Sequence, residues 1–295
     1  MRLTAITDEL SQDFEHALDV LLEYGIHHAE LRGLWGTNIA DLSEEQVKRA
    51  QKALKERDMQ VVALSTPFYK CDLSVEAVNE GEKMGNMHLA NPRGFAEQMQ
   101  ILERCVAHAY ALDTPYLRVF TFWRKDVLTP ELEQRIIDAF EEPLKYAEKH
   151  GITLLLENEY ACYIGTGEEA ARVAKKINSP NLQLLWDPGN AYCADETPYP
   201  NGYEVVKPWA KHMHIKDAVT KRTPEGKKMQ WCVIGEGEID YRGHLAALKQ
   251  NGYEGFLSLE THYVPTTGSG EGGKGTSEDG SRACLVALSQ LIAEI

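Results

Sequence analysis

The chain has 295 residues, of which 43% are hydrophobic and 26% charged, so it can bury a large core and is not globally disordered. Its formal net charge of −14 would repel a polyanion, which argues against nucleic acid or an anionic membrane as the main partner and favours a small-molecule substrate. The six cysteines form no C-x-x-C pair, as is usual in a reducing compartment.

The first residues and the hydropathy of the chain bear on its location. The segment MRLTAITDELSQDF lacks the apolar core of a signal peptide. Nowhere does the sequence contain the roughly 18 consecutive apolar residues that a membrane-spanning helix needs. We therefore expect a cytoplasmic protein.

Short β-rich runs alternate with longer amphipathic segments along the chain, the pattern of repeated strand–helix units. In chain order the runs that predict strands are RLTAIT, HAELR, MQVVALS, PYLRVFT, ITLLLE, LQLLWD, KHMHIK and GFLSLE. The segments that predict helices are about 14–24, the stretch after the N-cap Ser43, 95–112, 130–150, 241–250 and the final RACLVALSQLIAEI.

Three polar stretches interrupt this alternation. The first, residues 66–92, follows the third strand and is long enough to border an active site. The second, AVTKRTPEGKKMQWCVIGEGEID, lies between strands seven and eight and is interpreted as a polar loop that ends in a turn before a helix. The third is the glycine-rich segment 268–281, interpreted as a surface linker rather than a lid.

Eight strand–helix pairs predict an α/β fold of the (β/α)8 TIM-barrel type, which typically needs about 250 residues. No segment has the composition of an inter-domain linker, so residues 1–295 are expected to form a single TIM-barrel domain. In such a barrel the C-terminal ends of the strands meet at one mouth, where barrel enzymes keep their catalytic groups.

Four residues able to bind a divalent metal stand at the C-terminal ends of strands five to eight. They are Glu157 in ITLLLE, Asp187 in LQLLWD, His214 in KHMHIK and Glu260 in GFLSLE. Taken singly, each has a structural explanation, such as a helix cap for Asp187 or a hydrogen-bonded barrel histidine for His214. Because four consecutive strands each supply a ligand at the same end, the joint pattern predicts a metal-dependent enzyme.

This ligand set is dominated by carboxylates, which suits Mn²⁺, Mg²⁺ or Co²⁺ better than a structural zinc site built from thiolates. We expect one divalent ion, with Mn²⁺ as the first choice and Mg²⁺, Co²⁺ or Zn²⁺ as alternatives. A metal that chelates a carbonyl oxygen and a neighbouring hydroxyl oxygen stabilises an enediolate, so the adjacent C–H bond becomes acidic.

Several segments resemble the xylose-isomerase-like TIM barrel superfamily of sugar-phosphate isomerases and epimerases, namely LLLENEY, LLWDPGNAY, HMHIKD and GEGEIDYRGHLAALKQNGYEGFLSLE. That superfamily includes D-tagatose and D-psicose 3-epimerases, hydroxypyruvate isomerase and inosose dehydratase. The resemblance covers essentially the whole chain, and its most specific part is the HxHIKD, GxGxID and GYxGxLSLE succession. It implies that Glu157, Asp187, His214 and Glu260 bind the metal and that Glu157 and Glu260 also form the acid/base pair.

The resulting prediction is a divalent-metal-dependent sugar isomerase or epimerase that acts on a small polyhydroxy carbonyl compound through an enediolate. Two opposed bases give epimerisation, whereas one base that moves a proton between adjacent carbons gives isomerisation. Expulsion of a β-hydroxyl from the same enediolate gives dehydration, so a keto-sugar or inosose dehydratase is the alternative. Less favoured are a partner-dependent or non-catalytic member, in which the glycine-rich segment docks another subunit, and an abasic-site endonuclease.

Asn190, three residues after Asp187, departs from the pattern of the ketose epimerases, which carry a substrate-binding histidine at this position. An asparagine can hydrogen-bond a hydroxyl but cannot exchange a proton near neutral pH. This difference leaves the identity of the sugar open. Together with the acidic net charge it argues against the endonucleases, which use a histidine there as a zinc ligand.

Further residues are predicted to contact the substrate at the barrel mouth, and they are Asn190, Lys216, Arg222, Arg118 and His262. Glu159 shares the strand face of Glu157 by alternation and is weighed as a replacement ligand. Trp35, Phe122 and Trp123 are weighed as apolar walls for a sugar ring. The resemblance also makes a homo-oligomer plausible.

Overall fold

Eight parallel strands form the closed barrel that the alternation of strands and helices predicts. The computed structural model describes residues 1–74, 91, 93–223, 226–266 and 275–295, with the backbone alone for 222, 223, 226 and 227. In chain order the barrel strands β1 to β8 are Arg2–Ala5, His28–Leu31, Gln60–Leu64, Tyr116–Val119, Thr153–Glu157, Leu182–Trp186, Ala210–Ile215 and Phe256–Leu259. Strand β1 pairs with β8, and a parallel bridge between Ile6 and Glu30 joins the β1 and β2 ends, which confirms the TIM-barrel fold.

Helices surround the barrel and connect its strands. In chain order α1 to α11 are Thr7–Leu10, Phe14–Glu23, Glu44–Glu56, Gln98–Ala111, Pro130–Ala139, Glu141–Lys149, Gly167–Ile177, Pro188–Cys193, Tyr203–Val206, Tyr241–Gln250 and Ser277–Glu294. Short helical turns occupy Ile39–Asp41, Phe95–Glu97 and Pro198–Gly202. Ser43 starts α3 with a capping box shared with Gln46, and Pro130 starts α5, where its missing N–H costs no helical hydrogen bond.

Alternation along each strand separates the two faces of the barrel wall. In β5 the outward residues Leu154 and Leu156 are fully buried in the large apolar core under the helices. The inward residue Leu155 belongs to a small separate cluster with Leu185 and Val62. Because both faces are covered, the strands read as continuous apolar runs, and only the inward positions near the C-terminal mouth are free to carry polar groups.

The polar stretch between β7 and β8 is more regular than the sequence analysis predicts. Asp217–Thr223 and Gly226–Cys232 pair as an antiparallel hairpin, so the interpretation as a plain polar loop is wrong. Hairpin pairing uses backbone hydrogen bonds, and this lysine-rich segment has no regular apolar alternation that would reveal it. We call this element the β7–β8 hairpin.

Two helix boundaries also differ from expectation. The predicted helix 130–150 is divided at Phe140 into α5 and α6, and α11 begins at Ser277, inside the segment predicted as a linker. Residues 75–90 and 92 of the long polar connection lie outside the described residues, as do residues 267–274 of the glycine-rich segment. Among the helices of the described part, none is long and apolar enough to cross a membrane.

Candidate metal centre and substrate cavity

The four residues predicted as metal ligands converge at the C-terminal mouth of the barrel. They are Glu157 at the end of β5, Asp187 after β6, His214 near the end of β7 and Glu260 after β8. Each is at most 2% exposed, and one potential ligand atom from each lies within 4.8 Å of the others. Four strand ends thus place four buried donor groups around one point, which we call the ligand cluster.

His214 offers its Nδ1 atom to the ligand cluster because Glu30 engages the other ring nitrogen. Its Nε2 lies 2.9 Å from Glu30 Oε1, and an ionised carboxylate can only accept, so Nε2 carries the proton. Nδ1 lies 3.2 Å from Glu157 Oε1 and 3.4 Å from Glu260 Oε2. The Ser65 hydroxyl also donates to Glu30 and helps to keep this buried carboxylate in place.

Asn190 and Arg118 hold Glu157 from two sides. Asn190 Nδ2 donates to Glu157 Oε1 over 3.2 Å, and Arg118 Nη1 lies 3.3 Å from Glu157 Oε2. Burial opposes ionisation, but Arg118 and His214 hold the pKa of Glu157 below its usual value. Among the described residues, neither Glu157 Oε2 nor Asn190 Oδ1 has a hydrogen-bond partner, although both atoms are buried. Both oxygens are therefore available to a metal or a ligand.

Asp187 serves the adjoining helix and the ligand cluster at the same time. Its Oδ1 accepts from the Asn190 backbone N–H over 2.9 Å and caps α8, while Oδ2 lies 2.7 Å from Lys216 Nζ. Lys216 Nζ also donates to Glu260 Oε2 over 2.8 Å. A β-carbon at Gly189 would overlap the Lys216 side chain, so this glycine leaves the space through which the lysine reaches the cluster.

Arg32 ties Glu260 to the carboxylates that follow β1. Arg32 Nη1 donates to Glu260 Oε1 over 2.7 Å, and Arg32 Nη2 donates to Glu9 Oε1 over 2.5 Å. Its Nε donates to Asp8 Oδ2 over 3.0 Å. Arg32 is only 2% exposed, so these charge-assisted hydrogen bonds form a buried network that fixes the orientation of Glu260.

Burial and neighbouring charges together set the protonation of the ligand cluster. Burial opposes ionisation of Glu260, but Lys216 and His214 hold the pKa of this carboxyl well below its usual range. Burial raises the pKa of Asp187 to about 6, although Lys216 opposes the shift. Burial would lower the pKa of His214, but Glu30 and the other carboxylates raise it well above its usual value. A metal and a proton would compete for His214 Nδ1, so metal binding weakens at low pH.

A cavity of about 260 Å³ reaches the ligand cluster at Glu260. Its wall includes four residues predicted to contact a substrate, which are Arg118, Asn190, Lys216 and His262. The other wall residues are Lys70, Glu159, Tyr160, Trp231 and Glu260. Cavities that hold drug-sized ligands span about 300–1,000 Å³, so this one suits a molecule of monosaccharide size.

His262 reaches the cavity from the segment after β8. Its Nδ1 lies 3.2 Å from Glu9 Oε1, and its backbone N–H donates to Glu9 Oε2 over 3.1 Å. Its Nε2 lies 3.9 Å from Glu260 Oε1, near the residue that it is predicted to orient. The φ angle of His262 is +50°, a left-handed conformation that is strained for a residue with a β-carbon, and the Glu9 contacts hold it there.

Arg222 and Glu159 are the two other charged residues that the sequence suggests for the site. The side chain of Arg222 is outside the described residues, and its backbone stands near the turn of the β7–β8 hairpin. Glu159 lines the cavity, but its carboxylate accepts from Lys70 Nζ over 3.0 Å and is not one of the four clustered donors. Of the two glutamates at the end of β5, Glu157 and not Glu159 belongs to the ligand cluster.

The aromatic residues weighed as cavity walls lie elsewhere. Phe122 is fully buried in the core, Trp123 is 8% exposed and does not line the described cavity, and Trp35 Nε1 donates to a glutamate on the outside of the barrel. The aromatic side chains of the wall are Tyr160 and Trp231. Trp231 was not predicted as a wall residue, because it belongs to the β7–β8 hairpin and no sequence pattern predicts that hairpin.

The charged residues of the first two strand ends were not predicted as part of the site. Glu30 and Arg32 stand two residues apart in HAELR, and Asp8 and Glu9 follow β1. A charge inside a buried strand is a signal that could have revealed them, because an unpaired buried charge is costly and must find a partner. Which partners they find depends on the closure of the barrel.

Comparisons with known proteins agree with the barrel fold. Residues 18–283 match the model of the family described as xylose isomerase-like TIM barrel. The inosose dehydratase of Clostridium perfringens is 25% identical over 259 residues, which cover 82% of this chain and 83% of that protein. The crystal structure of the IolI protein with a bound zinc atom superposes with a TM-score of 0.72 at 17% identity and covers 100% of this chain and 99% of that chain.

A second solved structure, the D-allulose 3-epimerase from Methylomonas sp., superposes with a TM-score of 0.72 at 16% identity and covers 99% of this chain and 98% of that chain. Identities at this level show the shared fold alone. The family match spans most of the sequence and agrees with the eight-stranded barrel. The chain belongs to the xylose isomerase-like TIM barrel family.

Proposed function

We propose that this protein is a divalent-metal-dependent enzyme that acts on a small polyhydroxy carbonyl compound, and that it dehydrates a keto-sugar or an inosose. The observation that carries the proposal is the ligand cluster of Glu157, Asp187, His214 and Glu260 beside a cavity of about 260 Å³. The similarity to an inosose dehydratase over 82% of the chain supports dehydration as the reaction.

The donor set fits a divalent metal. Three carboxylates and one imidazole nitrogen are ligands that Mn²⁺, our first choice, accepts as readily as Mg²⁺, Co²⁺ or Zn²⁺. Buried Glu157 Oε2 lacks a hydrogen-bond partner in the described part of the chain, and Lys216 Nζ already places positive charge between Asp187 and Glu260. When bound, the metal would polarise a carbonyl and a neighbouring hydroxyl of the substrate and stabilise an enediolate.

Glu157 and Glu260 are the proposed acid/base residues, and their surroundings differ. Arg32 and Lys216 donate to the two oxygens of Glu260, so this carboxylate is a weak base and is held in one orientation. Arg118 Nη1 lies 3.3 Å from Glu157 Oε2, but among the described residues this oxygen accepts no hydrogen bond, whereas both oxygens of Glu260 accept one. Glu157 is therefore the better acceptor for a proton from the carbon next to the carbonyl group.

Dehydration needs one base and one proton donor. A carboxylate accepts the proton from the α-carbon, and the C–O bond to the β-hydroxyl then breaks. The leaving hydroxyl must gain a proton to depart as water, and the ammonium of Lys216, which lines the cavity, is a suitable donor. Because epimerisation needs two unencumbered bases on opposite faces, the cations on Glu260 favour dehydration.

Epimerisation or isomerisation of a ketose is the second candidate. Two acidic residues of the ligand cluster, Glu157 and Glu260, could exchange a proton on either side of a flat enediolate. Both candidates keep the same substrate class and the same metal requirement. They differ in the composition of the product: dehydration removes one water, whereas epimerisation or isomerisation does not.

Incubation of the Mn²⁺-loaded protein with scyllo-inosose and with D-fructose in deuterated water separates these reactions. Dehydration gives a product that has lost one water by mass spectrometry, whereas epimerisation or isomerisation gives a product of unchanged composition that carries solvent deuterium. A chelator should abolish either activity, and the return of Mn²⁺, Mg²⁺, Co²⁺ or Zn²⁺ should restore it and rank the metals. Full activity of the metal-free protein contradicts the proposal.

The remaining expectations about this protein stay predictions. They are a cytoplasmic location, a single domain over residues 1–295, a homo-oligomer and a small-molecule substrate without nucleic acid or membrane as a partner. Native mass spectrometry of the active protein tests the assembly. A homomeric species with full activity would argue against dependence on a different partner subunit.

A further inference from the structure

Trp231 is an aromatic side chain of the β7–β8 hairpin that lines the substrate cavity. It lies in the second hairpin strand, Gly226–Cys232, opposite Ala218 of the first. The side chain is partly exposed and stands in the cavity wall beside Lys216 and His262. The proton-transfer steps proposed above make no use of this indole.

The base of the hairpin is fixed to the barrel, so the indole has a defined position. Asp217 is fully buried and accepts from the backbone N–H of Gly235 over 2.8 Å and from that of Gly237 over 3.0 Å. A β-carbon at Gly237 would overlap the Asp217 carboxylate, which explains the glycine in GEGEID. Tyr192 of α8 adds a second attachment, because its hydroxyl lies 2.6 Å from Thr220 Oγ1.

Two groups of the cavity wall contact the indole and set its orientation. The ring centroid of His262 lies 5.5 Å from that of Trp231, with an interplanar angle of 57°. Lys216 Nζ lies 5.6 Å from the indole centre, within the range of a cation–π contact. The same ammonium lies 2.8 Å from Glu260 Oε2, so Lys216 contacts both the indole and one member of the ligand cluster.

The rest of the cavity wall is polar. In the described part of the chain, seven of its nine residues carry charged, amide or imidazole groups, and Tyr160 and Trp231 supply the aromatic surface. The hydroxyls around a polyhydroxy ring can hydrogen-bond to such polar groups, while its C–H face packs on an apolar surface. An open-chain polyol exposes hydroxyls on all sides and has no comparable continuous face.

We propose that Trp231 is the platform on which one face of a cyclic polyhydroxy substrate packs, and that this contact makes the site select ring-shaped over open-chain compounds. The proposal rests on the proposed function for the placement of the carbonyl end of the substrate at the ligand cluster. Trp231 then determines binding and specificity, and the proton-transfer steps belong to other residues.

Binding of myo-inositol and sorbitol to the Mn²⁺-loaded protein tests this role, because the two polyols have equal numbers of carbons and hydroxyl groups and differ in ring closure. By calorimetry, Trp231→Ala should weaken myo-inositol binding about tenfold and sorbitol binding by less than about twofold. Trp231→Phe should retain most of the affinity for the ring. Trp209→Phe is the matched control, because Trp209 precedes β7 at the opposite end of the barrel.

Tryptophan fluorescence provides a second readout that does not depend on turnover. Addition of myo-inositol should change the emission of the wild type and of Trp209→Phe, and should leave that of Trp231→Phe unchanged. Equal losses of affinity for both polyols in Trp231→Ala, no loss for either, or no measurable binding of myo-inositol to the wild type overturns the proposal.

Failure of this proposal is distinguishable from failure of the proposed function. Loss of water from scyllo-inosose with an unchanged KM in Trp231→Ala disproves the platform and leaves the dehydratase assignment intact. Ring-selective binding that requires Trp231, without turnover of any ketone, supports the platform and disproves the enzyme assignment.

Discussion

His214 can bind a metal through a defined nitrogen because Glu30 fixes the other one. Glu30 Oε2 also lies 2.7 Å from His212 Nε2, so one buried carboxylate orients two imidazoles of the same strand. A carboxylate behind a metal-bound histidine sets its tautomer and raises its basicity. Glu30 is therefore a positioning residue whose effect should appear in metal affinity.

Replacing Glu30 by Gln should lower the affinity for Mn²⁺ or Zn²⁺ by about 10- to 100-fold, because a neutral amide no longer favours a protonated Nε2 on His214. Chelator competition on the purified protein measures this change. Glu159→Gln is the matched control, since Glu159 is a buried carboxylate of the same mouth that pairs with Lys70. Equal losses in both variants would contradict a specific role for Glu30.

Glu260 has two proposed duties, as a metal ligand and as the carboxylate that holds the proton donor Lys216, whose Nζ lies 2.8 Å from Glu260 Oε2. Glu260→Gln should reduce kcat by roughly 10²- to 10⁴-fold, the range that loss of general acid catalysis produces, because the variant loses a proposed metal ligand and the carboxylate that holds Lys216. The amide keeps the shape of the side chain, so the circular dichroism spectrum of the metal-free variant should remain that of the folded barrel. A fully active variant would remove Glu260 from the catalytic machinery.

At the scale of elements, the GEGEID loop and the β7–β8 hairpin act as one unit around Asp217. From its sequence the loop is predicted to be a turn before a helix. The structure agrees, because Asp240 caps α10: its carboxylate accepts from the Gly243 backbone N–H over 2.8 Å. The hairpin adds a wall to the cavity that no periodic pattern predicts. The position of the hairpin depends on the close approach of Gly237 to the Asp217 carboxylate.

Gly237→Ala should destabilise the protein by about 1–3 kcal/mol, because the added β-carbon overlaps Asp217 and forces the loop to shift. Chemical unfolding at neutral pH measures the change. In the control Gly94→Ala, a β-carbon meets no atom within 4 Å and φ is −74°, so the effect should stay within about 0.5 kcal/mol. Equal stability of Gly237→Ala and the wild type would rule out the clamp around Asp217.

At the scale of the whole molecule, His244 couples the stability of the barrel to pH. This residue of α10 is 0% exposed and packs against the rings of Tyr199 and Tyr203, with centroid distances of 5.8 and 4.8 Å. Among the described residues, neither of its ring nitrogens has a hydrogen-bond partner. Burial lowers the pKa of His244 to about 3. Between this value and the unfolded value of about 6.5, only the unfolded chain binds the proton.

The free energy of unfolding should therefore fall as the pH drops below about 6.5, with a slope of up to about 1.4 kcal/mol per pH unit from His244. His244→Phe should remove this part of the slope, as measured by urea unfolding between about pH 7 and pH 5, above most carboxyl titrations. The exposed His27→Gln serves as control and should keep the slope of the wild type. An unchanged pH dependence in His244→Phe would show that this ring is not the coupled group.

Metal binding should also stabilise the whole barrel, because the ligand cluster joins four consecutive strands. At a free metal concentration a hundredfold above Kd, the gain is about 2.7 kcal/mol. The unfolding temperature with Mn²⁺ and with a chelator measures it. Asp187→Asn should lose most of the difference, and an identical unfolding temperature in both conditions would contradict a specific site.

Much of the fold could be predicted from local patterns. Each of the eight apolar runs forms one barrel strand, because a parallel strand covered on both faces needs a continuous run of apolar residues. The hairpin and the division of helix 130–150 at Phe140 could not be predicted in this way. Backbone pairing within a hairpin and a local break in a helix leave no periodic signal of hydrophobic residues.

The sequence by itself determined the barrel and the position of the four candidate ligands, because strand direction and alternation decide where a side chain at a strand end points. Only the tertiary structure decided the groups around them, such as Glu30 behind His214 and Arg32 beside Glu260. These partners are 184 and 228 residues apart in the chain. No local pattern can specify such contacts, because they form only when strand β8 pairs with strand β1 and closes the barrel.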